Sequence, residues 1–259
     1  MNDDTRPAMR ALGRLTSFEI SDAISADSIL CLPIGAQEQH GPHLPLNTDT
    51  IIAEQFTALL AQEHGQRFDI WQLPAIQYGL SLEHSWAPGT ISLRITSLRS
   101  LLEAVITEHL RSTDARRILI VNGHGGNRGL LEPFLRELEH DHGVTGCIIH
   151  PIALSTIAAN DGSTPEIHAG ITETAIMLAL AAQDVHLDRI PPHHAGASAR
   201  IEEFVLNRGT TWPWSTADDA LARVGVIGGD PRKATATMGK AVLGSALHAA
   251  ERALDNLTT

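Results

Sequence analysis

Ser28-Ile-Leu-Cys-Leu-Pro-Ile34 followed by Gly35-Ala-Gln-Glu-Gln-His-Gly-Pro-His-Leu-Pro-Leu-Asn-Thr-Asp49 decides the fold class. The first part is an apolar run with the composition of a strand buried on both faces. The second holds Gly35, Gly41, Pro42 and Pro45, which forbid the strand from continuing and delay any helix. Thr50 to Glu63 then places Ile51, Ile52, Phe56, Leu59 and Leu60 at helical spacing. The unit is strand, long loop, helix, and the loop carries Glu38, His40, His43 and Asp49. Such a density of oxygen and nitrogen donors is a candidate divalent-metal site. Glu38 and His40, two apart, point to one side of an extended backbone. A bland alternative is an N-cap role for Asp49 and a solvated His40.

The same unit recurs along the chain. Asp69 to Ile76 is a predicted strand closed by the loop Tyr78 to Thr90, and Ser97 opens a helix to about Arg111. Arg117-Ile-Leu-Ile-Val121 is a third strand, ending in Asn122-Gly-His-Gly-Gly-Asn127. A helix with Leu130, Leu131, Phe134, Leu135 and Leu138 on one face comes next, then a strand over Thr145 to His150. His168-Ala-Gly170 precedes an apolar helix from Glu173 to Ala182, and a last helix runs from about Lys233 to Leu257. A short amphipathic helix is expected at Leu15 to Ile24, and Ile201 to Arg223, with Trp212-Pro-Trp214, reads as an irregular excursion. Strand, loop and helix in repeated order predict an α/β fold with a mainly parallel central sheet and helices on both faces. Loops after parallel strands gather at the carboxyl edge of the sheet, where ligands bind. Glu38, His40, Asp49, Ser81, His84 and His124 all fall in such loops. No repeat or linker interrupts the chain, so one domain over 1–259 is expected, with 1–11 a flexible leader.

Composition narrows the function. The 259 residues are 43% hydrophobic and only 4% aromatic, and the net charge is -11. With a pI of about 5.6, this acidic chain is not built for nucleic acid or an anionic membrane. No signal-like or membrane-spanning run occurs, and Cys31 and Cys147 lie in strand-like apolar runs, which together predict a cytoplasmic protein with free thiols. Of the 14 histidines, those in polar helical settings take a solvated surface role. His40, His43, His84, His124 and His168 stand instead at strand ends or in Gly/Pro-rich turns. The glycine turn at Asn122–Asn127 matches neither dinucleotide nor P-loop patterns. It is better suited to presenting the His124 imidazole than to cradling phosphate. His168 and Glu173 read either as a helix start with a favourable first-turn carboxylate or as a proton-transfer group and a further ligand. No Gly-x-Ser-x-Gly elbow is present and neither cysteine has a basic neighbour, so metal-activated water is preferred to covalent catalysis.

Taken in order, these motifs resemble the creatininase family of creatinine amidohydrolases. The matching pieces are Gly35 to Asp49, Ser81-Leu-Glu-His-Ser-Trp-Ala-Pro-Gly-Thr-Ile-Ser-Leu93, Asn122 to Asn127, His168-Ala-Gly-Ile-Thr-Glu-Thr174 and Gly225-Val-Ile-Gly-Gly-Asp-Pro231. The resemblance implies a layered α/β/α creatininase-like fold, two divalent metal ions per chain (Zn, Mn or Fe) and a homohexamer built as a trimer of dimers. By that resemblance Glu38 and His40 each hold one ion, Asp49 bridges them and His124 is a further ligand. His168 is then the catalytic or substrate-binding histidine, and Ser81, His84 and Gly125 are substrate-contacting positions. The family's Asn-Gly-His-Tyr-Glu is here Asn-Gly-His-Gly-Gly, so Gly126 stands where creatininase proper has a ligating glutamate, and Glu173 is expected to replace it. The implied activity is hydrolysis of a C–N amide bond other than a peptide bond, in a small cyclic or formamide-type substrate. The alternatives are a peptidase of the mycofactocin-maturation kind and a non-catalytic, metal-stabilised assembly protein.

Overall fold

A computed structural model describes residues 10–157, 165–191, 199–222 and 224–259. Most of the expected leader and the loop histidines His193 and His194 lie outside the described residues. In chain order the elements are α1 (Ser17–Ala23), β1 (Ile29–Ile34), α2 (Thr48–Phe68), β2 (Ile70–Gln72), α3 (Ile95–Ser112) and β3 (Arg117–Asn122). They continue with α4 (Arg128–His142), β4 (Thr145–Ile149), the single turns α5 (Pro151–Leu154) and α7 (Ala199–Ile201) on either side of α6 (Ile171–Leu180), and the C-terminal α8 (Ala236–Thr258). The strands form one all-parallel sheet in the order β2-β1-β3-β4.

Strand alternation splits the core into two layers. Ile29, Cys31, Leu119 and Val121 face α2, α6 and α8 in one apolar cluster. Leu30, Leu32, Ile34, Ile118 and Ile120 face α1, α3 and α4 in the other. Both clusters are shielded from water, as a sheet covered on two faces requires. Cutting one of these side chains, such as Ile120, to alanine costs about 2–5 kcal/mol in lost burial and a residual cavity.

Boundaries differ from the sequence expectation where local chemistry overrides periodicity. The helix expected from Thr50 begins at Thr48, because Asn47 takes the N-cap position and the Thr48 hydroxyl donates to Pro45 O at 2.7 Å. Asp49 therefore stands inside the first turn and is not the cap. The same helix runs past Glu63 to Phe68 and stops at Asp69, whose left-handed φ of 48° ends it. The second strand shrinks to Ile70–Gln72. Pro74 has no N–H to donate, and Ile76 rejoins the sheet only as a single bridge to Ile34.

The strand order has a functional consequence. From β1 the chain moves outward to β2 on one side, and from β3 outward to β4 on the other. The reversal lies between β1 and β3, whose ends pair Ile34 with Asn122. Loops leaving these two strands diverge over a crevice, the usual ligand position in open α/β sheets. Among the described residues no helix is long and apolar enough to cross a membrane.

Candidate metal centre

The loops after β1 and β3 and the start of α2 converge because glycines let backbones touch. A Cβ on Gly123 would lie 2.2 Å from Asp49 O, and one on Gly35 would lie 2.4 Å from Thr50 N. Only hydrogen fits at either place. The first turn of α2 is thereby wedged between the two strand ends, with Asp49 facing His40 and His124.

Each of the two histidines beside Asp49 has one ring nitrogen engaged by a backbone carbonyl. His40 Nδ1 lies 3.1 Å from Glu38 O, and His124 Nε2 lies 2.7 Å from Leu80 O. A carbonyl only accepts, so these nitrogens carry the protons and the opposite nitrogens present lone pairs. Those lone pairs face carboxylates. His40 Nε2 is 3.0 Å from Asp49 Oδ1 and 3.9 Å from Glu173 Oε2, while His124 Nδ1 is 3.0 Å from Asp49 Oδ2 and 3.3 Å from Glu38 Oε1. Both Glu38 oxygens and Asp49 Oδ2 are buried without a hydrogen-bond donor. Acceptors aimed at acceptors in a buried site require a cation between them. The donors fall into the sets Glu38, Asp49, His124 and His40, Asp49, Glu173, each within 4.8 Å, and a further set of Glu38, His40 and His168. All are oxygen or nitrogen donors, and the chemistry fits hard or borderline divalent ions.

Electrostatics agree with this reading. Burial works hardest against charge on His40, yet Asp49, then Glu173 and Glu38, push its pKa up to about 10. Burial likewise opposes charge on His124, but Glu38 and Asp49 hold it well above the usual imidazole value. Burial would raise Asp49, and His40 and His124 overcome it to keep that carboxyl well below the ordinary range. Burial lifts Glu173 to about 7, with His40 opposing and Asp49 assisting. In the protein alone, protons take the place of cations between these groups.

His168 and His84 behave differently. Burial, then repulsion from His40 and His84, holds His168 well below the usual value, and burial pushes His84 down to about 4. His168 Nε2 donates to Gln39 O at 2.6 Å, which leaves Nδ1, 3.5 Å from Glu38 Oε1, as its free base. Its neighbour Ala169 is held in the left-handed region at φ 53° although fully buried, and the Ala169 N–H donates to Glu173 at 2.5 Å. A non-glycine residue in this region carries strain of roughly 1–3 kcal/mol, which the surrounding contacts must sustain.

The structure thus brings Glu38, His40, Asp49, His124, His168 and Glu173 together, with His84 beside them and stacked on His168 at 4.0 Å. Gly125 lines the adjoining cleft. Ser81 is fully buried behind His124, 3.4 Å from its Nε2, and lines neither cavity at the site. His43, an initial candidate, is buried away from the donors, where its Nε2 meets Thr174 Oγ1 at 2.8 Å. A Cβ on Gly126 would sit 2.3 Å from Leu80 O and 2.5 Å from His124 Nε2, so this backbone has no room for a side chain there.

Other participants had no signal of their own in the sequence. Gln39, between two donors, places its amide 3.0 Å from both His84 Nδ1 and His168 Nε2 and 3.1 Å from Gly225 O. Thr216 ties the irregular excursion to the site through His84 at 2.8 Å and the Trp86 indole N–H at 2.9 Å. Glu83, Arg128, His150 and Glu166 also border the cavities. Two cavities open over the donors, one of about 810 Å³ walled by Leu82, Leu206, Trp212 and Trp214, and a smaller one of about 280 Å³ behind it.

Comparison with known proteins follows the same lines. The family model described as Creatininase, creatinine amidohydrolase, matches residues 13–254. A mycofactocin precursor peptide peptidase of Mycobacterium ulcerans is 35% identical over 93% of this chain and 90% of its own. A creatinine amidohydrolase of Pseudomonas putida is 29% identical over 77% of this chain and 83% of its own. Among solved structures, a tryptophan-to-alanine variant of creatininase superposes with a TM-score of 0.79 at 25% identity, covering 96% of this chain and 98% of its own. Two more creatininase structures, a Mn form and a Zn-Zn form, reach TM-scores of 0.77 and 0.75 at 24% and 25% identity. Each covers 95% of this chain, and 98% and 96% of its own.

Proposed function

The chain belongs to the creatininase family of hydrolases, and from that premise we propose that it is a two-metal hydrolase cleaving an amide bond in a short peptide. The observation that carries this is the cleft. Glu38, Asp49, His124, His168 and Glu173 line an open cavity of about 810 Å³, at the large end of small-molecule sites. The peptidase relative is also more similar to this chain, over more of its length, than the creatinine amidohydrolase. A small cyclic or formamide-type amide, the first expectation from sequence, becomes the second reading and is favoured by the smaller cavity of about 280 Å³. A purely structural metal site is disfavoured because such sites are closed, whereas these donors open onto a cleft.

Glu38, Asp49 and His124 would hold one ion and His40, Asp49 and Glu173 the other, Asp49 being common to both groups. Glu173 thereby supplies the carboxylate that Gly126 lacks. Divalent ions held there would supply a water of lowered pKa and polarisation of the scissile carbonyl. Leu80 O and Glu38 O orient the two ligand imidazoles through their rear N–H groups. His168 is neutral at pH 7, so its Nδ1 accepts the proton of the attacking water and returns it to the leaving nitrogen. Gln39 fixes the ring for that transfer, and Trp212 and Trp214 line the cleft, with the Trp214 ring edge-on to His84. Hexamer assembly, a single domain over the whole chain and a cytoplasmic site of action belong to the same proposal and rest on the family likeness.

The test is a panel of short peptides, lactams and formamides offered to the metal-loaded enzyme. Peptides are expected to be turned over with kcat/KM at least about 10-fold above the other classes. Turnover of lactams or formamides with intact peptides would give the second reading the field.

A further inference from the structure

Resting on the peptide-hydrolase reading, we propose that Arg128 anchors the free C-terminal carboxylate of the substrate, with the terminal apolar side chain in the smaller cavity. Arg128 opens α4 directly after the Gly125–Asn127 turn, a few residues past His124. It borders both cavities, which meet along His124, Gly125, His168 and Glu173. A chain end held by this guanidinium therefore lies in the same connected space as the donors. No other arginine or lysine lines either cavity among the described residues. In an acidic protein, with Glu83 and Glu166 also on these walls, a lone guanidinium is a specific recognition element rather than part of a charge field.

The guanidinium is oriented but not consumed. Its Nε–H donates to His150 Nε2 at 3.2 Å, and burial followed by repulsion from Arg128 keeps His150 neutral, with a pKa of about 4. The nearest carboxylate oxygen, Glu132 Oε1, is 3.9 Å from Nε across an exposed helical turn. Neither Nη group has a partner among the described residues, and Glu166 spends its carboxylate on the N–H groups of Thr172 and Gly229. Two Nη donors on a planar fork match a carboxylate. Beside them the smaller cavity of about 280 Å³ is lined by Ile52, Pro151, Ile152 and Ala153. It has room for one apolar side chain of the substrate beside the guanidinium. The substrate class is thus a peptide with a free carboxyl terminus and an apolar last residue, cut near that end.

The experiment uses metal-loaded enzyme and matched N-acetylated peptides ending in leucine or in leucinamide. Wild type is expected to favour the free acid by about 10- to 100-fold in kcat/KM, mainly through KM, the usual worth of a charged hydrogen-bonded pair. Arg128→Met should bring the two within about threefold, and Arg128→Lys should keep part of the preference. Thermal melts establish that each variant folds, and the lysine variant carries the comparison if the methionine one does not. Equal turnover of acid and amide by wild type, or an unchanged preference in Arg128→Met, overturns the anchor. The latter result would place the carboxylate on the ions. If wild type cuts lactams or formamides but neither peptide, the peptide-hydrolase reading fails, and the anchor is then judged by calorimetry with N-acetyl-leucine and its amide. Equal affinity of wild type for both, or undiminished acid affinity in the variant, overturns it.

Discussion

Loading metal into the metal-free protein should expel protons, and the apparent affinity should rise steeply with pH. In the protein alone His40 has a pKa of about 10 and His124 lies well above the ordinary imidazole value. At pH 7 both rings are protonated on the nitrogens that face Asp49 and Glu38. Freeing His40 Nε2 alone, about 3 pH units below its pKa, costs roughly 4 kcal/mol. The proton displaced from His40 gives a slope of about one decade in apparent affinity per pH unit, with His124 steepening it and Glu173 adding a fraction near its pKa of about 7. The assay is calorimetric titration of zinc chloride into metal-free protein between pH 6 and 8, in pairs of buffers with different ionisation enthalpies. A buffer-independent heat, or an affinity flat across that range, would refute the lone-pair geometry assigned to His40 and His124. The metal-free protein should show the opposite trend. A histidine raised from about 6.5 to about 10 stabilises the fold fully below the lower value and loses that contribution as pH climbs through the upper one. Melting temperature without metal should therefore fall on the alkaline side, where metal affinity is highest.

Asp49→Asn takes the charge and one of two oxygen donors from the residue shared by two of the three candidate sets; metal content should drop below one ion per chain and turnover by at least about 100-fold. Full metal with full turnover would discard the assignment. Gly126→Ala forces a methyl against Leu80 O and His124 Nε2 and should cost about 1–3 kcal/mol, lowering Tm by roughly 2–4 °C per kcal/mol. An unchanged melting curve would mean the turn is looser than described. Cys31 is fully buried, and burial pushes its thiol up to about 12, so iodoacetamide at pH 8 should leave it unmodified until the protein unfolds. Labelling at the rate of an exposed thiol would contradict that burial.

Much of the architecture was legible because it rests on local signals. Apolar runs at Ile29–Ile34 and Arg117–Asn122, closed by Gly35 and Gly123, mark strands whose alternation feeds two core layers. The candidate donors were legible for a related reason, since Glu38, His40, Asp49 and His124 follow parallel strands, whose loops such a sheet collects at one edge, while His168 and Glu173 stand at the start of an apolar helix. Helix starts were less so. Asp49 reads as a cap until the contact between Thr48 and Pro45 moves the helix back and turns its carboxylate inward. Gln39, Thr216, Glu83 and Arg128 carried no signal, because their place depends on how the excursion near Trp214 and the turn before α4 fold back over the sheet. Ser81 shows the reverse limit. Its sequence position is beside the cleft, but packing turns it behind His124.

The reversal of strand order between β1 and β3 has a mechanical consequence. Donors on the two sides of that reversal are far apart in sequence, and each half of the sheet carries one wall of the crevice. An ion shared by Asp49, Glu38 and His124 would then act as a cross-link between the halves, closing a long loop that the unfolded chain must leave open at an entropic cost. Chelation should consequently loosen more than the loops that hold the donors. The seam running down between β1 and β3, from Ile34 and Asn122 toward Ile29 and Arg117, becomes the line along which the protein first gives way. Amide exchange along that seam, with and without metal, is where the cross-link should be felt.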